Sequence, residues 1–152
     1  MVSCVHLYAA TSMKHQTTRV ELYIHVVFGT FERRPLISSA IQPNLFRAIE
    51  AKSLELACAP CAIGGTDDHV HLLARLHPSI PVARLVAEVK GVSSHLVTHR
   101  LSRGAFFRWQ SGYGAFTIST DDVPAVERYV LNQRQHHENR ALEPRLELAA
   151  DG

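Results

Sequence analysis

Residues 57–76 read Ala57-Cys58-Ala59-Pro60-Cys61-Ala62-Ile63-Gly64-Gly65-Thr66-Asp67-Asp68-His69-Val70-His71-Leu72-Leu73-Ala74-Arg75-Leu76. Two extended segments, about Ala57 to Ile63 and His69 to Leu76, flank the loop Gly64-Gly65-Thr66-Asp67-Asp68. Glycine turns the chain without steric cost and aspartate folds back on its own backbone, so this loop predicts a hairpin. Side chains alternate across a strand. His69 and His71 are therefore expected on one face, with Val70 packed on the other.

Working back towards the N-terminus, Leu22-Tyr23-Ile24-His25-Val26-Val27-Phe28 is a short run of β-branched, aromatic and aliphatic residues, read as a strand buried on both faces. A basic loop, Gly29-Thr30-Phe31-Glu32-Arg33-Arg34-Pro35, ends it. Ser39 followed three residues later by Gln42 has the pattern of a capping box, and Ile41, Leu45, Ala48, Ile49 and Leu56 form the apolar stripe of a first helix. Beyond the hairpin, Ser79 is the expected cap of a second helix, with Pro81 in its first turn. Its buried face is Val82, Leu85, Val86, Val89, Leu96 and Val97. Phe106 to Thr120 is aromatic and punctuated by glycine, and is read as a strand or bent strand pair. Thr120-Asp121-Asp122 then opens a third helix expected to run to about Asn139.

The first six elements, strand-helix-strand-strand-helix-strand, spell an α+β fold: a ferredoxin-like (split βαβ, RRM-like) antiparallel sheet with helices on one face, followed by a C-terminal helix carrying Tyr129. One domain over residues 19–141 is expected, with a leader at 1–18 and a tail at 142–152. At 152 residues, 46% hydrophobic and 20% charged, the chain has a globular rather than a disordered composition. No apolar run reaches the roughly 20 residues that span a bilayer. Nothing signals secretion, so a cytoplasmic setting with no membrane partner is the default reading. A net charge of +2 neither demands nor forbids a nucleic-acid partner, because the distribution of charge decides that.

His69-Val70-His71 pre-aligns two imidazoles, the commonest metal ligands, although such pairs also occur as ordinary surface histidines. Tyr129 and Gln133, four apart on the last helix, share a helical face, and His136 falls on the same side a turn further on. An amphipathic helix with a half-buried tyrosine has the same appearance. Together the two pieces suggest a mechanism. Two imidazoles and an amide oxygen leave coordination positions open on Mg²⁺ or Mn²⁺, and carry no negative charge to offset the ion's pull on a phosphodiester. Tyrosine, with a reference pKa near ~10, needs help to lose its proton before it can attack phosphorus.

Gly64-Gly65-Thr66-Asp67-Asp68-His69-Val70-His71-Leu72-Leu73 resembles the His-hydrophobe-His (HUH) motif of the IS200/IS605-like single-tyrosine transposases. Arg33-Arg34-Pro35-Leu36-Ile37, Lys90-Gly91-Val92-Ser93-Ser94, Trp109-Gln110-Ser111-Gly112-Tyr113-Gly114-Ala115-Phe116 and Tyr129-Val130-Leu131-Asn132-Gln133 extend the likeness in order over roughly residues 20 to 140. The resemblance implies that His69, His71 and Gln133 bind a divalent metal, Mg or Mn. It makes Tyr129 the nucleophile, joined to a DNA 5′ phosphate. It further implies that such proteins recognise hairpins in single-stranded DNA and act as homodimers, with the tyrosine helix of one subunit completing the site of the other. The N-terminal extension and the short tail depart from the pattern.

Arg33, Arg34, Lys90, Arg100, Arg103 and Arg108 are the candidate DNA-backbone contacts, each also readable as solvated charge. His25 is a candidate site-lining or core histidine. Trp109, Tyr113 and Phe116 are read as core or dimer interface before base-stacking surface. Cys58 and Cys61 with His69 and His71 offer a rival structural zinc site, but two cysteines three apart in a strand face opposite ways, which favours small buried hydrophobes. A second rival is a domesticated relative that binds hairpin DNA or RNA without cutting.

Overall fold

The computed structural model describes residues 18–133 and Glu147. Its strands are β1 (Tyr23–Gly29), β2 (Ala59–Gly65), β3 (His69–Arg75) and β4 (Gly114–Ile118), and its helices are α1 (Gln42–Glu55), α2 (Val82–Leu96) and α3 (Val123–Leu131). The sheet has the order β2-β3-β1-β4, antiparallel throughout. This is the ferredoxin-like arrangement expected from the element order.

Strand alternation separates two apolar layers. Ile24, Val26 and Phe28 of β1 and Val70, Leu72 and Ala74 of β3 face α1 and α2, meeting Leu45, Ile49, Leu85, Val86 and Val89. Phe28, Leu45, Leu72 and Leu85 are fully buried there, each contributing about 1.5–3 kcal/mol by leaving water. On the opposite face, Tyr23, Cys61, Ala62 and Leu73 receive Val123, Val126 and Val130 of α3. β1 is consequently buried along its whole length. At nine residues, α3 is too short to be stable alone, so its position depends on this docking. Cys58, just before β2, belongs to the first layer and Cys61 to the second.

Three local expectations are revised. Ser39 does not cap α1, whose N-cap is Ile41 without a side-chain bond. The Ser38 carbonyl instead accepts from the backbone N–H of both Ile41 and Gln42. Ser79 does not cap α2 either. Its hydroxyl lies 2.7 Å from His77 Nδ1, and the N-cap is Pro81, whose carbonyl accepts from Arg84 and Leu85. Only Gly114–Ile118 of the predicted 106–120 strand is regular. Upstream, Phe107 and Trp109 turn into the core, and the Lys90 ammonium takes the Gln110 and Gly112 carbonyls at 2.8 and 2.7 Å, removing them from any ladder. α3 is regular over Val123–Leu131, after a 3-10 turn at Thr120–Asp122 whose cap, Ser119, accepts from the Asp122 N–H; its expected end near Asn139 lies outside the described residues. The leader except residue 18, the tail except Glu147, and His136 lie outside the described residues.

Candidate active site between the sheet and the last helix

β3 delivers His69 and His71 to the face covered by α3, both fully buried, while Val70 points into the layer beneath α1 and α2. Their ring centroids are 4.9 Å apart. The register places Gly29 opposite His69 and Val27 opposite His71, so His25 is the diagonal neighbour of His71 on the same face. His25 Nε2 lies 2.9 Å from His71 Nδ1 and the two rings stack. Burial, with a smaller contribution from the neighbouring His71, lowers the His25 pKa to about 3. A neutral His25 accepts at Nε2 when His71 carries its proton on Nδ1, and His71 Nε2 is then directed at the centre of the site.

A parallel device fixes His69. Its Nδ1 lies 2.6 Å from Asp68 Oδ1 and 2.9 Å from Thr66 Oγ1. Arg33 adds Nε to Asp68 Oδ2 at 3.1 Å; its Nη2 stands 3.3 Å from His69 Nδ1, a contact but not a hydrogen bond while Nδ1 donates to Asp68. Partial burial works against the Asp68 charge, but the bonds to His69, the Arg33 charge and the Thr66 hydroxyl outweigh it and hold the carboxyl well below its usual range. A carboxylate on Nδ1 selects the tautomer with a free lone pair on Nε2, the usual arrangement behind a metal-binding histidine.

The close turn before these histidines depends on Gly65. Its φ of +157° suits glycine, and a Cβ there would come within 2.2 Å of the His69 carbonyl oxygen. Gly64 serves a different purpose. A Cβ on it would lie 1.9 Å from the Val130 carbonyl oxygen, so the bare backbone lets α3 sit directly on the sheet.

α3 carries Tyr129 to within 6.1 Å of His71, ring centre to ring centre. One turn on, Gln133 donates from Nε2 to the Tyr129 carbonyl at 3.4 Å, satisfying one of the carbonyls a helix end leaves open. Its Oε1 is buried without a hydrogen-bond partner among the described residues.

Glu147 is the participant the sequence did not reveal. It lay in the segment read as a tail, and an isolated glutamate there has no periodicity or spacing to mark it. The Tyr129 hydroxyl donates to Glu147 Oε1, and Glu147 Oε2 stands 3.5 Å from His71 Nε2. Burial alone would raise its pKa. The hydrogen bond and charge of His71, the Tyr129 hydroxyl and His69 reverse this and hold it at about 2. The cluster therefore brings one carboxylate to the two histidines. Ligand atoms of His69, His71 and Glu147 all lie within 4.8 Å of one another. Two imidazoles and a carboxylate fit a divalent cation that also takes phosphate oxygens. No cysteine joins this group among the described residues.

Glu147 accepts from the Tyr129 hydroxyl and so orients it.

The predicted phosphate contacts divide. Arg33 joins Asp68 and His69. Arg34 lies over the Phe106 ring and Arg108 over the Phe31 ring, each at 4.9 Å. Lys90 is committed to carbonyls of the 110–112 loop, half-buried, and its pKa is lowered by that burial. Its helical neighbour Ser93 accepts from Trp109 Nε1 at 3.0 Å. Lys90 and Ser93 thus clamp residues 109–112. Arg100 and Arg103 are exposed beyond the end of α2, with Arg103 bonded to the His99 carbonyl. Trp109 is core, edge-on to Phe28 and Phe107.

A family model described as "Transposase IS200 like" matches residues 18–133. A candidate transposase from Deinococcus radiodurans R1 superposes with a TM-score of 0.59 at 20% identity, covering 80% of this chain and 97% of that one. A REP-associated tyrosine transposase bound to a REP hairpin superposes with a TM-score of 0.61 at 16% identity, covering 91% of this chain and 92% of that one. At these identities the two structures are evidence of shared fold. No curated protein matches the chain. No helix among the described residues is long and apolar enough to cross a membrane.

Proposed function

Because the chain belongs to the IS200-like transposase family, we propose that it cleaves and rejoins single-stranded DNA at hairpin-marked transposon ends, with Tyr129 as nucleophile and a 5′-phosphotyrosine intermediate. The observation that carries this reading is the convergence of Tyr129, His69 and His71 in one buried cluster, with Gln133 one helical turn beyond Tyr129 and its amide oxygen buried without a partner among the described residues. His69, His71 and Gln133 would hold Mg²⁺ or Mn²⁺, joined by Glu147. Such an ion polarises the scissile phosphate and lowers the cost of a phenolate. Asp68, Thr66 and His25 position the two imidazoles. The oxygen of Tyr129 forms a bond to phosphorus as the bond to the leaving 3′ oxygen breaks, so the phosphodiester energy is conserved and resealing needs no ATP.

Within one chain Tyr129 already stands beside His71, which favours a cis site over the trans homodimer that the resemblance implied. Mixing Tyr129→Phe with His69→Ala protein separates the two. Restored adduct in the mixture means trans action, and its absence means cis.

Denaturing gels with labelled single-stranded DNA carrying a hairpin from the flank of its own gene test the function. A covalent band that needs Mn²⁺ and vanishes in Tyr129→Phe is the expected result. The Glu147 bond to the Tyr129 hydroxyl favours one alternative, a non-cutting binder of hairpin DNA or RNA. A native-gel shift with no covalent band from any flanking hairpin would establish that reading instead.

A further inference from the structure

Beyond the end of β1 the chain makes a tight turn at Phe31–Arg33, with Glu32 and Arg33 both in the left-handed region at φ 53° and 54°. Two adjacent residues with side chains seldom adopt this conformation unless their surroundings impose it. Here the Thr30 hydroxyl, shared between the Arg34 carbonyl at 2.6 Å and the Asp68 carbonyl at 3.0 Å, pins the turn. The 108–111 segment lies alongside. Phe31 N–H donates to the Arg108 carbonyl and Gln110 N–H to the Gly29 carbonyl, while Lys90 holds the far side of the same loop. Between turn and loop opens a cleft of about 540 Å³ lined by Phe31, Glu32, Arg33, Arg108, Gln110 and Ser111.

Three features distinguish this cleft. Arg108 covers one face of Phe31, Arg34 covers the exposed Phe106, and the two phenyl rings meet edge to face at 6.0 Å. Neither guanidinium forms an ion pair among the described residues. The Gln110 amide and the Ser111 hydroxyl make no side-chain hydrogen bond there either. Finally, Arg33 ties the cleft directly to Asp68 and His69.

We propose that this cleft binds one unpaired nucleotide next to the scissile phosphate. Its base stacks on the Phe31–Arg108 pair, its phosphate meets the Arg108 and Arg34 guanidiniums, and the Gln110 amide reads the base edge. Stacked guanidinium and aromatic planes accept a base from single-stranded nucleic acid, which a paired base in a stem cannot offer. A glutamine amide matches the donor and acceptor pair of adenine, so adenine is the favoured base. The inference rests on the strand-transfer reading and adds where the strand flanking the cut is held.

The test uses the full chain in chelator, with fluorescein-labelled dA12, dT12 and a blunt-ended DNA hairpin as probes, read by anisotropy. Phe31→Ala should weaken dA12 binding by about 5- to 150-fold, the loss of one stacked base. Phe31→Tyr should retain it. Arg108→Gln should flatten the logarithmic salt dependence on single strands by about 0.7, one phosphate contact. Gln110→Ala should bring dA12 and dT12 to within twofold of each other. Affinity for the blunt hairpin should stay within twofold throughout. Unchanged dA12 binding by folded Phe31→Ala and Arg108→Gln proteins, or equal losses on strand and hairpin, overturns the cleft assignment. If hairpin substrates still form the covalent adduct in that case, the strand-transfer reading survives alone. If the wild-type chain neither binds single strands nor forms an adduct, both fail.

Discussion

Replacing Gly64 by alanine tests whether the exact seat of α3 governs the candidate chemistry. The added Cβ would stand 1.9 Å from the Val130 carbonyl oxygen and 2.9 Å from its carbonyl carbon, against an ordinary contact of about 3.5 Å. Backbone rather than a flexible side chain is in the way, so α3 must retreat by about 1.5 Å at this point. Tyr129 is the adjacent residue and moves with it. A misplacement of about 1 Å in a reacting group costs on the order of 10²-fold in rate. The overpacked interface should cost about 1–3 kcal/mol, and each kcal/mol lowers Tm by roughly 2–4 °C in a domain of this size. The paired control is Gly91→Ala, in the exposed interior of α2 with nothing within 4 Å of the new Cβ. That change should stabilise by about 0.5–1 kcal/mol and leave activity unaltered. Adduct formation and amide hydrogen exchange over residues 123–131 are the readouts. A Gly64→Ala protein with adduct rate within threefold of wild type and unchanged exchange in α3 would refute the reasoning.

Two further outcomes follow from the groups behind the histidines. His25 takes up a proton near pH 6.5 when unfolded but only near pH 3 when folded, so the unfolded chain binds more protons between those values. Stability should therefore fall as pH drops below about 6.5, by about 1.4 kcal/mol per unit and about 2 kcal/mol by pH 5. Melting curves of wild type and His25→Phe over pH 7 to 5 check this, and equal slopes would sink it. Asp68→Asn removes the carboxylate that sets the His69 tautomer and should weaken Mn²⁺ binding by about 10- to 100-fold in titration calorimetry. A change of less than twofold would mean that the Thr66 hydroxyl suffices to orient the ring.

Local chemistry made much of this protein readable from its residues. Strand alternation put His69 and His71 on one face and Val70 on the other, and the apolar stripes marked both helices that cover the first layer. Helical spacing placed Gln133 a turn beyond Tyr129. The turn residues between the two hairpin strands set the hairpin that makes the fold ferredoxin-like. What failed locally were the serine caps and the length of β4, because nearby backbone carbonyls and the Lys90 ammonium competed for the same groups. Other features depend on contacts between distant segments, which no local pattern encodes. Lys90 reads as a surface cation until the 110–112 carbonyls close around it, and His25 stays open between core and site until the register sets it diagonal to His71. Glu147 acquires its place only when the chain returns to Tyr129. Periodicity reports which face a side chain takes, whereas the partner it finds there is decided by packing across the sheet.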